Sequence, residues 1–259
     1  MNKIHYEKKH IISDYAHTVL QTAEVIFLVK YREHIWNKHI LDIGCGAGRT
    51  TAHLKNMSKD YVGLDYSLDM IEFCKKRFDA VRFIHGDVRD MSMLKDEMFD
   101  FVLFSYNGLD TVCHEDRLRG LQEIHRVLGQ NGLFVFSSHN RNHHNATLPP
   151  KMSFSLTPCV QIGNLIKFIK STYNRLKNKK HERLEKEYSI INDRAHNYAL
   201  LTYYIDKTSQ ISQLREVGFE VVEMYDTCGN VLDIDSDDHD SPWIYYVTRK
   251  INRRNIQIN

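Results

Sequence analysis

Apolar positions along this chain follow two rhythms. Ahead of residue 38, Tyr15, Val19, Ala23, Ile26 and Phe27 stand at helical spacing, which predicts an amphipathic helix over about 14–36, capped by Asp14 and covering one side of a domain. From Ile40 the rhythm becomes short continuous apolar runs at 40–43, 61–65, 81–87, 99–105 and 132–138, separated by helical stretches. Each run reads as a strand buried on both faces, and five of them in alternation with helices predict a parallel sheet covered on both sides.

The helices between the runs are legible as well. Leu118, Leu121, Ile124 and Leu128 form one apolar stripe, and Gln130, Asn131 and Gly132 are expected to stop its helix. Ile211, Leu214 and Val217 form another, stopped by Gly218, and strands are expected over 219–226 and 242–249, which brings the sheet to about seven strands. Between roughly 140 and 196 the alternation breaks down, and Pro149, Pro150 and Pro158 fall there, followed by a Lys-rich stretch from Lys167 to Lys186. The chain is therefore read as a single α/β domain over 1–259, with an N-terminal helical cover at 1–38 and an insertion, or lid, at 140–196.

Charge and cysteine usage narrow the classes. The 35 Lys and Arg nearly balance the 33 Asp and Glu, so no whole-molecule field draws the protein to nucleic acid or a membrane; either partner would need a local patch. The five cysteines include no C-x-x-C pair, which fits reduced thiols, and the longest apolar stretch near the N-terminus, 25–29, is too short for a signal or a membrane span. A cytoplasmic protein without a membrane partner is expected; oligomeric state is left open.

The segment Asp42-Ile43-Gly44-Cys45-Gly46-Ala47-Gly48-Arg49-Thr50 lies where the first strand turns into its helix. Glycines there permit a tight turn and close approach of backbone to a ligand, and a helix N-terminus would follow with unpaired N–H groups. A dinucleotide fingerprint would place glycine at the sixth position, which here is Arg49. The D-x-G-x-G-x-G form, with Asp65 ending the second strand run and Gly86-Asp87-Val88 ending the third, resembles motif I and its partners in class I S-adenosylmethionine-dependent methyltransferases.

That resemblance covers about 40–140 and, more loosely, the final helix and strand pair. It implies a doubly wound Rossmann-like sheet, mostly parallel with an antiparallel last strand, and S-adenosylmethionine as cofactor. It assigns Asp42, Gly44, Cys45 and Gly46 to the cofactor's turn, Asp65 to the ribose hydroxyls, and Tyr66 and Met70 to packing on the adenine. Gly86, Asp87 and Val88 would read the adenine edge, with Asp87 accepting from the exocyclic amine, and Ser105 and Tyr106 would meet the methionine end. A sulfonium presents an activated methyl group, so a strong catalytic motif is not required. Where a base is needed, His139 at the end of the fifth run is the candidate, with Asn107 orienting the acceptor.

Other features are weighed as bland. His139, His143 and His144 lack an acidic or cysteine partner at ligand spacing, so no metal is expected. The acidic run 233–238 departs from a calcium loop at Asp238 and Ile244 and reads as a solvated loop. The Lys-rich stretch reads as a solvated face with Phe168, Tyr173, Leu176 and Leu184 as sparse anchors.

Three functions remain in order. A small-molecule methyltransferase comes first, with Tyr6, Tyr15, Tyr198, Tyr203 or Tyr204 walling the acceptor under the lid. A nucleic-acid methyltransferase is disfavoured: 105–108 reads Ser-Tyr-Asn-Gly rather than an Asn/Asp-Pro-Pro-aromatic motif, and the only Pro-Cys pair, Pro158-Cys159, falls in the insertion. A non-catalytic cofactor-binding module, or a dehydrogenase with an atypical turn, comes third.

Overall fold

The computed structural model describes residues 19–143 and 148–251, with the side chains of 195 and 196 outside that description. Asp14, Tyr6, Tyr15 and His144 lie outside the described residues. Within them, all seven expected strands form: β1 (His39–Ile43), β2 (Asp60–Asp65), β3 (Arg82–His85), β4 (Phe99–Phe104), β5 (Leu128–Asn140) and, near the C-terminus, Phe219–Tyr225 and Trp243–Lys250. β1 pairs in parallel with β2 and β4, β2 with β3, and β4 with β5; strand Trp243–Lys250 then inserts antiparallel between β5 and Phe219–Tyr225.

Side chains alternate across this sheet, and helices bury both faces. Leu41, Ile43, Val62 and Leu64 meet Leu121 and Ile124 of helix His114–Val127, and Leu214 and Val217 of helix Lys207–Val217. Ile40, Phe101 and Leu103 face the other way, against Phe27 and Leu28 of α1 (Thr22–Lys30) and against Ile71 and Cys74 of helix Leu68–Arg77.

Several boundaries differ from expectation. α1 ends at Lys30 and gives way to a turn of 3-10 helix, Arg32–His34; Gln21, whose N–H donates to Glu24 Oε2 at 2.7 Å, stands at its N-cap. The helix after the glycine turn is α2 (Thr51–Leu54), only four residues long. Helices α3 (Leu68–Arg77) and α4 (His114–Val127) complete the first half, and α4 stops at Val127 because Leu128 already pairs with Phe99 as β5.

The segment after β5 is built rather than irregular. It holds the long helix α5 (Pro158–Lys179), with proline at its first turn where a missing N–H costs nothing, then short strands β6 (Arg183–Leu184), β7 (Tyr188–Ile191) and β8 (Thr202–Ile205). β8 joins the end of β5 in parallel, through His139 and Asn140, so the extra strands extend the sheet at its carboxyl end. Helix α6 (Lys207–Val217), stopped by Gly218 at φ 106°, leads to β9 (Phe219–Tyr225), the short β10 (Val231–Leu232) and β11 (Trp243–Lys250).

Candidate active site

The carboxyl ends of β1, β2, β3 and β4 open on one cavity of about 750 Å³, where ligands dock in open α/β sheets. It is lined by Asp42, Gly44, Cys45, Gly46, Asp65, Tyr66, Met70, Gly86, Asp87, Val88, Ser105 and Tyr106, so every residue assigned to the cofactor is brought together. Lys180, His181, Glu182 and Arg183 close the opposite rim from the segment after α5, with Ile190 and Leu201.

The glycine turn is held from two sides. Gly44 and Cys45 donate to Leu64 O at the end of β2, while Cys74 Sγ and an Arg77 Nη of α3 donate to Gly46 O and Ala47 O at 3.1 Å. Gly44, Gly46 and Gly48 all have positive φ. A Cβ at Gly48 would stand 2.3 Å from the Phe78 ring, whereas one at Gly46 would meet nothing nearer than Gly44 O at 3.9 Å. Gly48 is thus demanded by packing, and Gly46 by backbone conformation alone on a side open to ligand.

Asp65 faces this turn. Its Oδ2 accepts the Gly46 N–H at 2.9 Å and its Oδ1 the Ser67 N–H at 2.8 Å, with the Tyr66 N–H a further backbone donor, and a carboxylate retains acceptor capacity beyond these. Burial raises its pKa, partly countered by those backbone donors. Asp42 plays a different part: Oδ2 accepts from Thr50 Oγ1 at 2.5 Å and from the Tyr61 hydroxyl at 2.7 Å, and burial pushes its pKa up to about 6. It braces the turn from below. Asp87 meets Arg89, whose Nε and Nη2 reach its two oxygens at 2.9 and 2.7 Å, so the carboxylate assigned to adenine shares its charge with a neighbouring guanidinium that also binds Asp116.

Asn107 and His139 stand apart from the cavity lining. His139 Nδ1 lies 2.7 Å from Oδ2 of buried Asp110, and its Nε2 3.4 Å from Asn107 Nδ2; Tyr204 and Trp243 flank the ring. Asp110 also binds the fully buried Arg117, which reaches Ser138, Gln210 and Gln213. Burial would raise the Asp110 pKa, but Arg117 and His139 hold it below the ordinary carboxylate range. Asn107 takes a left-handed backbone, and its Oδ1 is buried without a hydrogen-bond partner.

Residues absent from the sequence reading complete the site. Arg49, noted only as a break in the dinucleotide pattern, lines the cavity with its guanidinium 4.9 Å from the Tyr106 ring, and is gripped by both oxygens of Glu24, at 2.5 and 2.7 Å. Ser105 Oγ donates to the same buried carboxylate. The available signal was Glu24 on the face of α1 that carries Phe27 and Leu28: an acid on an apolar stripe needs a buried cation.

Other expectations need correction. Tyr198, Tyr203 and Tyr204 do not line the cavity; their hydroxyls bind Leu148 O, the His114 ring and Asp193. Of the supposed anchors in the Lys-rich stretch, only Phe168 is partly covered, while Tyr173, Leu176 and Leu184 are exposed. The acidic run, by contrast, is the largely exposed loop expected of it; only Asp238 is buried, 3.7 Å from Lys207, whose Nζ donates to Asp233 O and Ser236 O at 2.9 and 2.5 Å.

Residues 40–132 match a family model described as a methyltransferase domain. Demethylmenaquinone methyltransferase of Clavibacter sepedonicus is 37% identical over 101 residues, covering 38% of this chain and 40% of that protein. The chain spans between 35% and 55% of the length of the first three curated relatives it matches. Among solved structures, an S-adenosylmethionine-dependent methyltransferase of Mesorhizobium loti superposes with a TM-score of 0.62 at 17% identity, over 88% of this chain and 98% of that one. The Burkholderia thailandensis 1,6-didemethyltoxoflavin N1-methyltransferase, solved with bound 1,6-didemethyltoxoflavin and S-adenosylhomocysteine, gives 0.56 at 13% identity over 97% of this chain and 84% of that one. These last two likenesses concern the fold. The matched segment, residues 40–132, is similar to a methyltransferase domain and carries the glycine turn and both strand-end aspartates.

Proposed function

We propose that this protein transfers a methyl group from S-adenosylmethionine to a small-molecule acceptor by in-line displacement. The observation that carries this reading is the single cavity shared by the glycine turn, Asp65 and the 180–183 rim, large enough for a nucleoside cofactor with an acceptor beside it. The donor set suits that cofactor: lone pairs on Asp65 for vicinal hydroxyls, open backbone at Gly46, and apolar Met70 and Val88 for a flat base. When bound, the cofactor supplies an electrophilic methyl on a positively charged sulfur.

The residues of the chain do the positioning. Asp65 and the Gly44–Gly46 backbone hold the nucleoside, and the 140–196 insertion acts as a lid whose 180–183 segment shields the reacting centre from water. His139 serves as base where the acceptor carries a proton: Asp110 takes the Nδ1–H, which leaves the Nε2 lone pair directed to Asn107. Tyr106 on the cavity lining and His139 outside it both pack near the Trp243 ring, so an acceptor held at the Tyr106 end of the cavity is the one His139 serves.

Calorimetric titration with S-adenosylhomocysteine, with NADH as control, tests the cofactor; binding of NADH alone, or of neither, ends the reading. Transfer of radiolabelled methyl to a small-molecule panel, against tRNA and rRNA, tests the acceptor class, and stoichiometric labelling of RNA would replace it.

A further inference from the structure

Helix α5 is amphipathic the wrong way round for a helix that packs on its own domain. Ile162, Leu165, Ile166, Ile169, Tyr173 and Leu176 recur every three or four residues on one face, and all six are exposed, from 45% to 71%. On the opposite side the second half of the helix meets the protein through polar groups: Ser171 and Asn178 are its buried residues, and Asn174 and Asn178 donate to Asn197 O and Tyr198 O at 2.9 and 3.1 Å, while Phe168 on that side is half-buried and Val160 exposed. Just ahead of the helix, Phe154 and Leu156 are more exposed still.

The charges around this stripe have one sign. From 140 to 181 the chain contains no Asp or Glu, while Lys167, Lys170, Arg175, Lys177, Lys179 and Lys180 lie in or next to α5. In helical projection Lys170 and Lys177 border the stripe on one side and Lys179 on the other.

We propose that α5 lies flat on an anionic lipid bilayer, with its apolar stripe at the acyl boundary and its lysines among the headgroup phosphates. A helix of 22 residues is about 33 Å long, enough for a lengthwise footprint of four turns or more. Among the described residues no helix is long and apolar enough to cross a membrane, so the contact is with the surface. A second copy docked stripe to stripe would oppose two all-cationic segments with no carboxylate between them. A nucleic acid would leave six apolar side chains in water. An anionic bilayer satisfies both the stripe and the cations. The balanced charge of the whole chain conceals this patch, because the compensating acids lie elsewhere in the sequence. α5 runs straight into Lys180–Arg183 on the cavity rim, so docking brings the mouth of the cavity to the lipid surface.

The test is co-sedimentation of the full chain with vesicles of phosphatidylglycerol and phosphatidylcholine, against phosphatidylcholine alone. Partitioning to the anionic vesicles is expected to be ~10-fold or more stronger and to weaken with salt. The paired substitution Ile166→Asp and Ile169→Asp, at exposed positions, is expected to abolish it while S-adenosylhomocysteine binding and the thermal midpoint stay unchanged. Failure to sediment with anionic vesicles would overturn the proposal, as would sedimentation that the paired substitution leaves intact. A dimer in lipid-free ultracentrifugation that the same substitution dissociates would assign the stripe to a second copy instead.

Discussion

The floor of the cavity and the helix beyond its rim solve opposite problems. At the floor and in the cluster beside it, charged groups are buried and answered: Glu24 by Arg49 and Ser105, Asp42 by Thr50 and Tyr61, and, outside the cavity lining, Asp110 by Arg117 and His139. In α5, apolar groups are exposed and the domain answers none of the six on the outer face. Buried charge without a partner costs several kcal/mol, so the floor is rigidly specified, whereas solvent-facing leucines and isoleucines cost the monomer little and leave the outer surface free for a ligand.

The sharpest way to break this contrast is at Arg117. Arg117→Ala strands buried Asp110 and should destabilise the fold by about 3–5 kcal/mol in urea unfolding. A loss below about 1 kcal/mol would mean that this buried cluster beside the cavity is not built on paired charge.

Asp42 comes next, through pH. Its folded pKa, about 6, lies above the ordinary 3.8, so the stability it contributes is complete below about pH 4 and is lost as pH rises to about 6. The linked loss is at most roughly 3 kcal/mol, and Asp42→Asn should flatten stability across that window. An unchanged slope would place the titration elsewhere.

Asp65→Ala should weaken S-adenosylhomocysteine binding by about 1.5–3 kcal/mol for loss of a charged hydrogen-bond acceptor. Unchanged calorimetric affinity would move the ribose away from β2. Arg89→Ala removes a largely exposed pair with Asp87 and should change stability by less than about 1 kcal/mol in the same unfolding assay. The smallest effect belongs to the outer helix: Ile169→Asp should alter unfolding free energy by no more than about 0.5 kcal/mol, and a larger loss would show that α5 is packed in solution after all.

These regions also differed in how far they were legible. The strands, the Gly44–Gly48 turn and the placement of Asp65 and Asp87 followed from pattern and from the family resemblance, because a buried parallel strand needs a continuous apolar run and the turn needs residues tolerant of positive φ. The length of α2, the end of α4 and α1's stop at Lys30 did not, since local propensity is overridden where β5 pairs early or where a tertiary contact takes over. In the insertion, Tyr173 and Leu176 resembled anchors, yet the protein presents the polar side of that helix inward. Spacing identifies a face without saying which way it points.

From its sequence alone this chain could be read as a doubly wound α/β domain with a glycine-rich cofactor turn, because those features depend on residue type at fixed short spacing. Only the tertiary structure could decide that Glu24 grips Arg49 beneath Tyr106, that Asp110 links Arg117 to His139, and that the apolar face of α5 turns outward. Each depends on groups distant along the chain meeting where water is excluded, and burial, unlike periodicity, is a property of the assembled fold.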